Sequence, residues 1–250
     1  MFDLRGKKAI VTGGNKGLGL GMSQGLCEGG ASVVIIGSSD ETERAAQSLR
    51  DTGFDAHAVV CDLSDKVDLE RGFAQALQIH GGRLDILVNN AGVQRRAKAE
   101  EFGWDDWQFV LTVNLDVVFL LCQLAGRVML AQGKGKIINI ASMLSYFGGI
   151  TVPAYAASKG GVAQLTKALC NEWAGRGVCV NAIAPGYMDT EMNVNLINDE
   201  KRYGDITARI PAGRWGTAED MKGVVVFLAS EASDYLNGAI IPVDGGYLAK

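Results

Sequence analysis

A tyrosine and a lysine stand four residues apart, Tyr155 and Lys159 in YAASK, behind an isolated serine, Ser142. In a helix that spacing stacks phenol and ammonium on one face, one turn apart. A free phenol titrates at about 10, and a neighbouring cation favours its ionised form, so such a tyrosine could trade protons nearer neutral pH. Read alone, the same YxxxK is also an ordinary surface helix that begins after Pro153. The elements that would have to position the pair decide between the two.

Residues 8–12 (KAIVT) form a short apolar run that stops at glycines, and a stretch of helical composition follows over 18–28. The intervening GGNKGLG, Gly13 to Gly19, would let the backbone pass close to a pyrophosphate and aim free amides and the positive end of a helix dipole at it. Further strands are expected over 32–36, 56–61, 84–88, 136–141, 178–183 and 239–243, with helices over 41–51, 104–132, 155–174 and 217–229. Continuous apolar strands alternating with helices predict an α/β fold: one domain over 1–250, a Rossmann-type doubly wound parallel sheet of about seven strands with helices on both faces. Ligands of such sheets gather at the carboxyl ends of the strands, where Gly13, Asp62 and Asn89 fall. Ser142 then sits just past a strand end and Asn114 inside a buried helix, both polar groups that need a reason to be there. Weak periodicity over 187–211 reads as a mobile flap.

Composition narrows the partners. With 48% hydrophobic and 21% charged residues the chain can fill one large core, and a net charge of -4 offers no broad basic field to a nucleic acid. Five cysteines, odd in number and without a CxxC pair, read as buried thiols of a reducing compartment, and the charged start MFDLRGKK lacks the apolar core of a signal peptide; a cytoplasmic protein is expected. The most apolar stretch, 109–130, has the length of a membrane span but carries Thr112, Asn114, Asp116, Gln123 and Arg127, so it is read as a helix buried against the sheet or a second subunit. No metal site is expected.

Taken in order, TGGNKGLG at 12–19, Asp62-Leu63, NNAG at 89–92, Asn114, Ser142, YAASK at 155–159 and PGYMDT at 185–190 resemble the short-chain dehydrogenase/reductase family over essentially the whole chain. The resemblance implies that Tyr155 is the general acid and base, that Ser142 holds the reacting oxygen, that Lys159 lowers the Tyr155 pKa and bonds the nicotinamide ribose, and that Asn114 anchors a water joining Lys159 to solvent. It implies a dinucleotide held by Gly13, Asn15, Lys16, Gly17, Leu18 and Gly19, by Asp62 and Leu63 at the adenine, by Asn89, Ala91 and Gly92, and by Pro185, Gly186, Met188 and Thr190 at the nicotinamide. The family's switch between NAD and NADP falls at Gly37 and Ser38, where this chain has neither acid nor base. Lys16 could meet a 2'-phosphate, which leans toward NADP, while resemblance to a sugar-acid branch, the 2-deoxy-D-gluconate 3-dehydrogenases, leans toward NAD.

That branch resemblance rests on GVQRR at 92–96, NIASMLS at 139–145, NAIAPGYM at 181–188, IPAGRWG at 210–216 and the terminal DGGYLA. A sugar acid needs a cationic fork, which Arg95, Arg96 and Arg214 could supply unless they face solvent or brace a subunit contact; the structural role is favoured for Arg214. Gln94, Met143, Tyr146, Tyr187 and Met188 are expected as pocket walls. Gluconate 5-dehydrogenase and 3-oxoacyl-carrier-protein reductase activities stay open, as does a non-catalytic dinucleotide sensor. The family resemblance implies a homotetramer.

Overall fold

The computed structural model describes residues 1–250. Its strands are β1 (Lys8–Thr12), β2 (Ser32–Gly37), β3 (Ala56–Val60), β4 (Ile86–Asn89), β5 (Gly135–Ile140), β6 (Val178–Pro185) and β7 (Ile240–Val243). Its helices are α1 (Gly17–Glu28), α2 (Glu41–Asp51), α3 (Lys66–Ile79), α4 (Trp104–Leu111), α5 (Val117–Gln132), α6 (Pro153–Trp173), α7 (Val194–Ile197), α8 (Glu200–Arg209) and α9 (Glu219–Ala229). The strands pair in parallel in the order β3-β2-β1-β4-β5-β6-β7.

Successive residues of each strand feed opposite cores. Ile10, Val34 and Ile36 enter one core, while Ala9, Val11, Val33 and Ile35 enter the other. Both sets are apolar because both faces are covered, which is why the strands read as unbroken hydrophobic runs. The first core is closed by α3, α5 and α6 through side chains such as Phe73, Leu121 and Val162; the second by α1, α2 and α9 through Met22, Leu49 and Val225. Each fully buried aliphatic contributes about 1.5–3 kcal/mol.

The chain leaves β1 toward β2 on one side and enters β4 on the other, so a crevice opens between the β1 and β4 ends. Pairing aligns Thr12, Asn89 and Asn139 across three neighbouring strands. Thr12 Oγ1 accepts from Asn90 N and Ala91 N, both at 3.1 Å. Asn89 Nδ2 donates to Asn139 Oδ1 at 2.9 Å, and Asn139 Nδ2 to Thr166 Oγ1 of α6 at 3.0 Å. Polar groups at the strand ends thus lock the sheet's rim.

Several boundaries differ from the expectation. The helix expected over 155–174 begins at Pro153, whose fixed φ and missing N–H suit the first helical position. The long helix over 104–132 holds, but a π turn, Thr112–Asp116, separates α4 from α5 and puts Asn114 at its wide point. α3 has no counterpart among the expected helices; the Asp65 carboxylate starts it by accepting from Val67 N and Asp68 N.

The 187–211 stretch carries two helices, α7 and α8, over a third, small core of Met143, Leu196, Ile210, Trp215 and Tyr247. Its two ends are joined. Asp189 N donates to Gly216 O at 2.8 Å and Gly216 N to Tyr187 O at 3.0 Å.

Candidate active site

A cleft of about 1040 Å³ runs along the carboxyl ends of the strands, from Ser38 and Asp62 at one end to Tyr155 and Arg96 at the other. Its floor is the glycine turn. Gly17 takes a left-handed φ of 52°, which turns the chain out of β1 into α1. Gly19 is forced by contact, since a Cβ there would lie 2.0 Å from Gly13 O and 2.4 Å from Asn90 Nδ2. The first amides of α1 face the cleft without a side-chain cap, and the first turn holds no acidic residue. An uncapped twelve-residue helix end with its backbone laid bare by glycine fits a pyrophosphate. Asn15, Lys16, Leu18, Ser38, Leu63, Ala91 and Gly92 line the same cleft.

Of the expected dinucleotide contacts, one lies off the cleft and one lines it with its charge already engaged. Asn89 is 2% exposed and braces β5, off the cleft wall. Lys16 Nζ is engaged by Glu191 Oε2 at 2.6 Å, an exposed pair that ties the glycine turn to the segment after β6, so its charge is already partnered.

At the other end of the cleft the helical spacing of Tyr155 and Lys159 is realised, with Lys159 Nζ 5.6 Å from the centroid of the Tyr155 ring. Lys159 is 4% exposed and donates to Ile140 O at 2.6 Å. Burial pushes its pKa down to about 8. The expectation that Lys159 holds the Tyr155 pKa down does not carry over to this geometry. The ammonium sits over the ring face, and burial raises the phenol above its ordinary value; a hydrogen bond with Ser142 and the charge of Arg96 pull it the other way.

Ser142 is set by its own turn. Its Oγ accepts from Leu144 N at 3.1 Å, and its N donates to Ser145 Oγ at 3.3 Å. Ser145 Oγ in turn donates to Lys159 O at 2.7 Å, fastening the serine turn to the helix that carries Tyr155. Sequence reasoning missed Ser145; a serine three residues after a strand-end serine, able to complete a capping box, was the available signal.

Asn114 is wholly buried and grips the backbone of Val93 at both groups, accepting from its N at 2.8 Å and donating to its O at 2.9 Å. Its Nδ2 also donates to Ser158 Oγ at 3.2 Å. A Cβ built on Gly92 would lie 3.3 Å from Asn114 Oδ1 and 3.9 Å from Lys159 Nζ, so both polar groups face the same small space. The π turn is what brings Asn114 there.

The expected substrate wall divides. Gln94, Arg95 and Arg96 line the cleft, as do Pro185, Gly186, Met188 and Thr190. Arg95 is paired with Asp106 at 3.2 Å and lies 5.0 Å over the Phe109 ring. Arg214 makes a two-pronged pair with Asp220, at 2.7 and 2.8 Å, and bonds Trp215 O, which is a structural role. Tyr146 is turned away, its hydroxyl donating to Ile240 O at 2.8 Å. Met143 is 4% exposed within the third core. Tyr187 packs edge-on against Tyr247 at 5.3 Å and against Trp215 at 5.2 Å, behind the wall and not on it. Arg96 alone of the three arginines reaches the cleft with no carboxylate partner.

A proton-trading phenol beside a serine hydroxyl, a buried ammonium and a bed for a pyrophosphate together suit hydride chemistry at a carbon–oxygen bond. Comparison with known proteins agrees. The family model described as Enoyl-(Acyl carrier protein) reductase matches residues 13–248. A 2-dehydro-3-deoxy-D-gluconate 5-dehydrogenase of Bacillus subtilis (strain 168) is 49% identical over 100% of this chain and 97% of its own length. The solved structure of an Agrobacterium tumefaciens protein with bound NADP, provisionally named a 2-deoxy-D-gluconate 3-dehydrogenase, is 47% identical over 100% of this chain and 99% of that one, with a TM-score of 0.93. A gluconate 5-dehydrogenase of Burkholderia cenocepacia J2315, solved in complex with NADP and tartrate, is 42% identical over 100% and 98%, with a TM-score of 0.95.

Proposed function

From the premise that this chain belongs to the short-chain dehydrogenase/reductase family, we propose that it interconverts a secondary alcohol and a ketone on a hexonate-like sugar acid, with 2-dehydro-3-deoxy-D-gluconate as the first candidate. The observation that carries the reading is the meeting of Ser142, Tyr155 and Lys159 beside an unpaired arginine, Arg96, at the open end of a dinucleotide cleft. The bound nicotinamide dinucleotide supplies or accepts the hydride. Ser142 donates to the reacting oxygen and holds it at the phenol. Tyr155 gives that oxygen its proton on reduction and takes it back on oxidation. Lys159 and Asn114 border the space through which the phenol's proton is replaced, a water path between them being part of the proposal. Thr190, Met188 and the Pro185-Gly186 turn would hold the nicotinamide amide, and Asp62 and Leu63 the adenine.

The branch resemblance that favoured NAD has no support in the solved relatives, both of which carry NADP. We therefore propose NADP(H) alongside NAD(H), with gluconate as the competing substrate because one of those relatives is a gluconate 5-dehydrogenase. The bound tartrate of that relative supports a carboxylate-bearing substrate. We further propose a cytoplasmic homotetramer. Five unpaired cysteines favour the reducing compartment, and Phe109 and Phe119, 36% and 43% exposed on α4 and α5, offer an apolar face to a second copy. A monomeric mass in light scattering would contradict the assembly.

Initial rates with NADPH and NADH against a panel of keto sugar acids and an acetoacetyl thioester test the function. Turnover of a sugar acid is expected, abolished in Tyr155→Phe with dinucleotide affinity retained. Activity confined to the thioester, or undiminished in Tyr155→Phe, would sink the reading.

A further inference from the structure

Glu191, the residue after Thr190, was not among the expected site residues, yet it lines the cleft beside the glycine turn. Its carboxylate accepts from Lys16 Nζ at 2.6 Å, joining two elements 175 residues apart in the chain. The two elements approach at a second point: a Cβ built on Gly17 would lie 3.8 Å from Thr190 Cγ2. Glu191 opens a short 3-10 turn, Glu191–Asn193, in which Asn193 N donates to Thr190 O and Asn193 Nδ2 to Met188 O, each at 2.9 Å. The carboxylate is thus presented by a braced backbone, and the lysine reaches it on a flexible four-carbon stem.

On its other side the glycine turn meets the end of β2, where the family's coenzyme switch falls. Gly37 has no room for a side chain, since a Cβ there would lie 3.0 Å from Asn15 Oδ1 and closer still to Thr42 Oγ1. No acid can therefore stand at 37 to hold ribose hydroxyls, and Ser38 and Ser39, which follow along the cleft, are uncharged. Glu41, at the start of α2, adds negative charge to this rim and no cation. Because Asn15 lies against Gly37, its neighbour Lys16 is the cation that the turn brings to the rim. Arg95, Arg96 and Lys159, the other cations of the cleft, come from the segment after β4 and from α6. The side chain able to tell a 2'-phosphate from a hydroxyl is the one that Glu191 holds.

A phosphate monoester carries about two negative charges and three acceptor oxygens at pH 7, against the single charge of a carboxylate, so it takes an ammonium that both can reach. The Lys16–Glu191 pair is open to solvent on both sides, 62% and 77% exposed, and such a pair is a weak lock that a stronger anion can undo. We propose that Glu191 weighs one coenzyme against the other by competing for Lys16. With NAD(H) the pair stays closed and ties the glycine turn to the segment that bears Thr190. With NADP(H) the 2'-phosphate takes Lys16, and the tie is released. The proposal rests on the dinucleotide reading of the cleft and adds the residue that sets its balance between the two coenzymes.

The test titrates NADPH and NADH by fluorescence into the wild type, Glu191→Gln, Lys16→Met and the double variant. Competition requires the ratio of Kd for NADH to Kd for NADPH to rise about 2- to 5-fold in Glu191→Gln. The same substitution made in Lys16→Met must leave the ratio unmoved. No change in Glu191→Gln overturns the proposal; so does a rise that persists without Lys16, which would be a general relief of negative charge. Hydrogen exchange over 189–193 in the wild type, saturated with each coenzyme in turn, reads the tie itself. Faster exchange with NADPH is expected, with the difference lost in Lys16→Met, and equal exchange in the wild type overturns the proposal. In each of these failures the dinucleotide reading stands, whereas a wild type that binds neither coenzyme sinks that reading and the competition with it.

Discussion

The two ends of the cleft are built by different means. The dinucleotide end is made from strand termini and main chain: a glycine turn, an uncapped helix start, and Asn90 Nδ2 donating to Thr12 O and Gly13 O. The end near Tyr155 is backed, behind the cleft wall, by side chains that meet across great sequence distance, Met143, Trp215 and Tyr247, in a core of their own. The first is fixed by the sheet and inherits the sheet's stability. The second is a small cluster, expected to open before the sheet does.

Trp215→Ala tests that separation most severely. The ring is 4% exposed, and its loss should cost about 3–5 kcal/mol, taken from the third core alone. Hydrogen exchange over 187–216 should accelerate and the KM for the sugar acid rise, with NADPH affinity within about twofold of wild type. Weakened NADPH binding of the same size would show the two ends to be one unit.

Gly19→Ala breaks the comparison from the other side. Its Cβ has no room against Gly13 O, so about 1–3 kcal/mol of strain falls on the glycine turn. Dinucleotide affinity measured by fluorescence titration should drop by up to about 100-fold. Exchange over 187–216 should be unchanged; acceleration there would count against independence.

The smallest effect is a pH dependence seated at the junction. The Lys159 pKa in the fold, about 8, lies below its ordinary value of 10.5, so between these the unfolded chain keeps a proton that the fold has shed. Stability therefore rises with pH through that window, and below pH 8 the full cost of the buried cation remains. Relative to Lys159→Met in urea titrations, the wild type should gain about 1 kcal/mol between pH 8 and 9. A flat difference would return Lys159 to an ordinary pKa.

Sequence legibility follows the same division. Gly13, Gly17 and Gly19 could be read because strand, turn and helix are adjacent in the chain, and Tyr155 with Lys159 because helical spacing is local. Asn114 was visible as a polar residue in an apolar helix, but its grip on Val93 depends on a π turn that composition does not announce. Tyr146 lies near site residues in sequence and was misread as a pocket residue, because nearness along the chain says nothing of Ile240 as a partner, whereas the structural role favoured for Arg214 has its partner, Asp220, six residues on.

The joined stems of the 187–216 segment have a consequence for redesign. Met188 and Gly216 form a bridge at its neck, so the segment between them leaves and re-enters the sheet's rim at a single point. A loop closed at its neck loses only about 0.6 kcal/mol for each doubling of its length. The stretch beyond Asn195 is therefore open to replacement: a longer or differently charged one could be grafted there, with Thr190 kept at the cleft and Ser142, Tyr155 and Lys159 left in register.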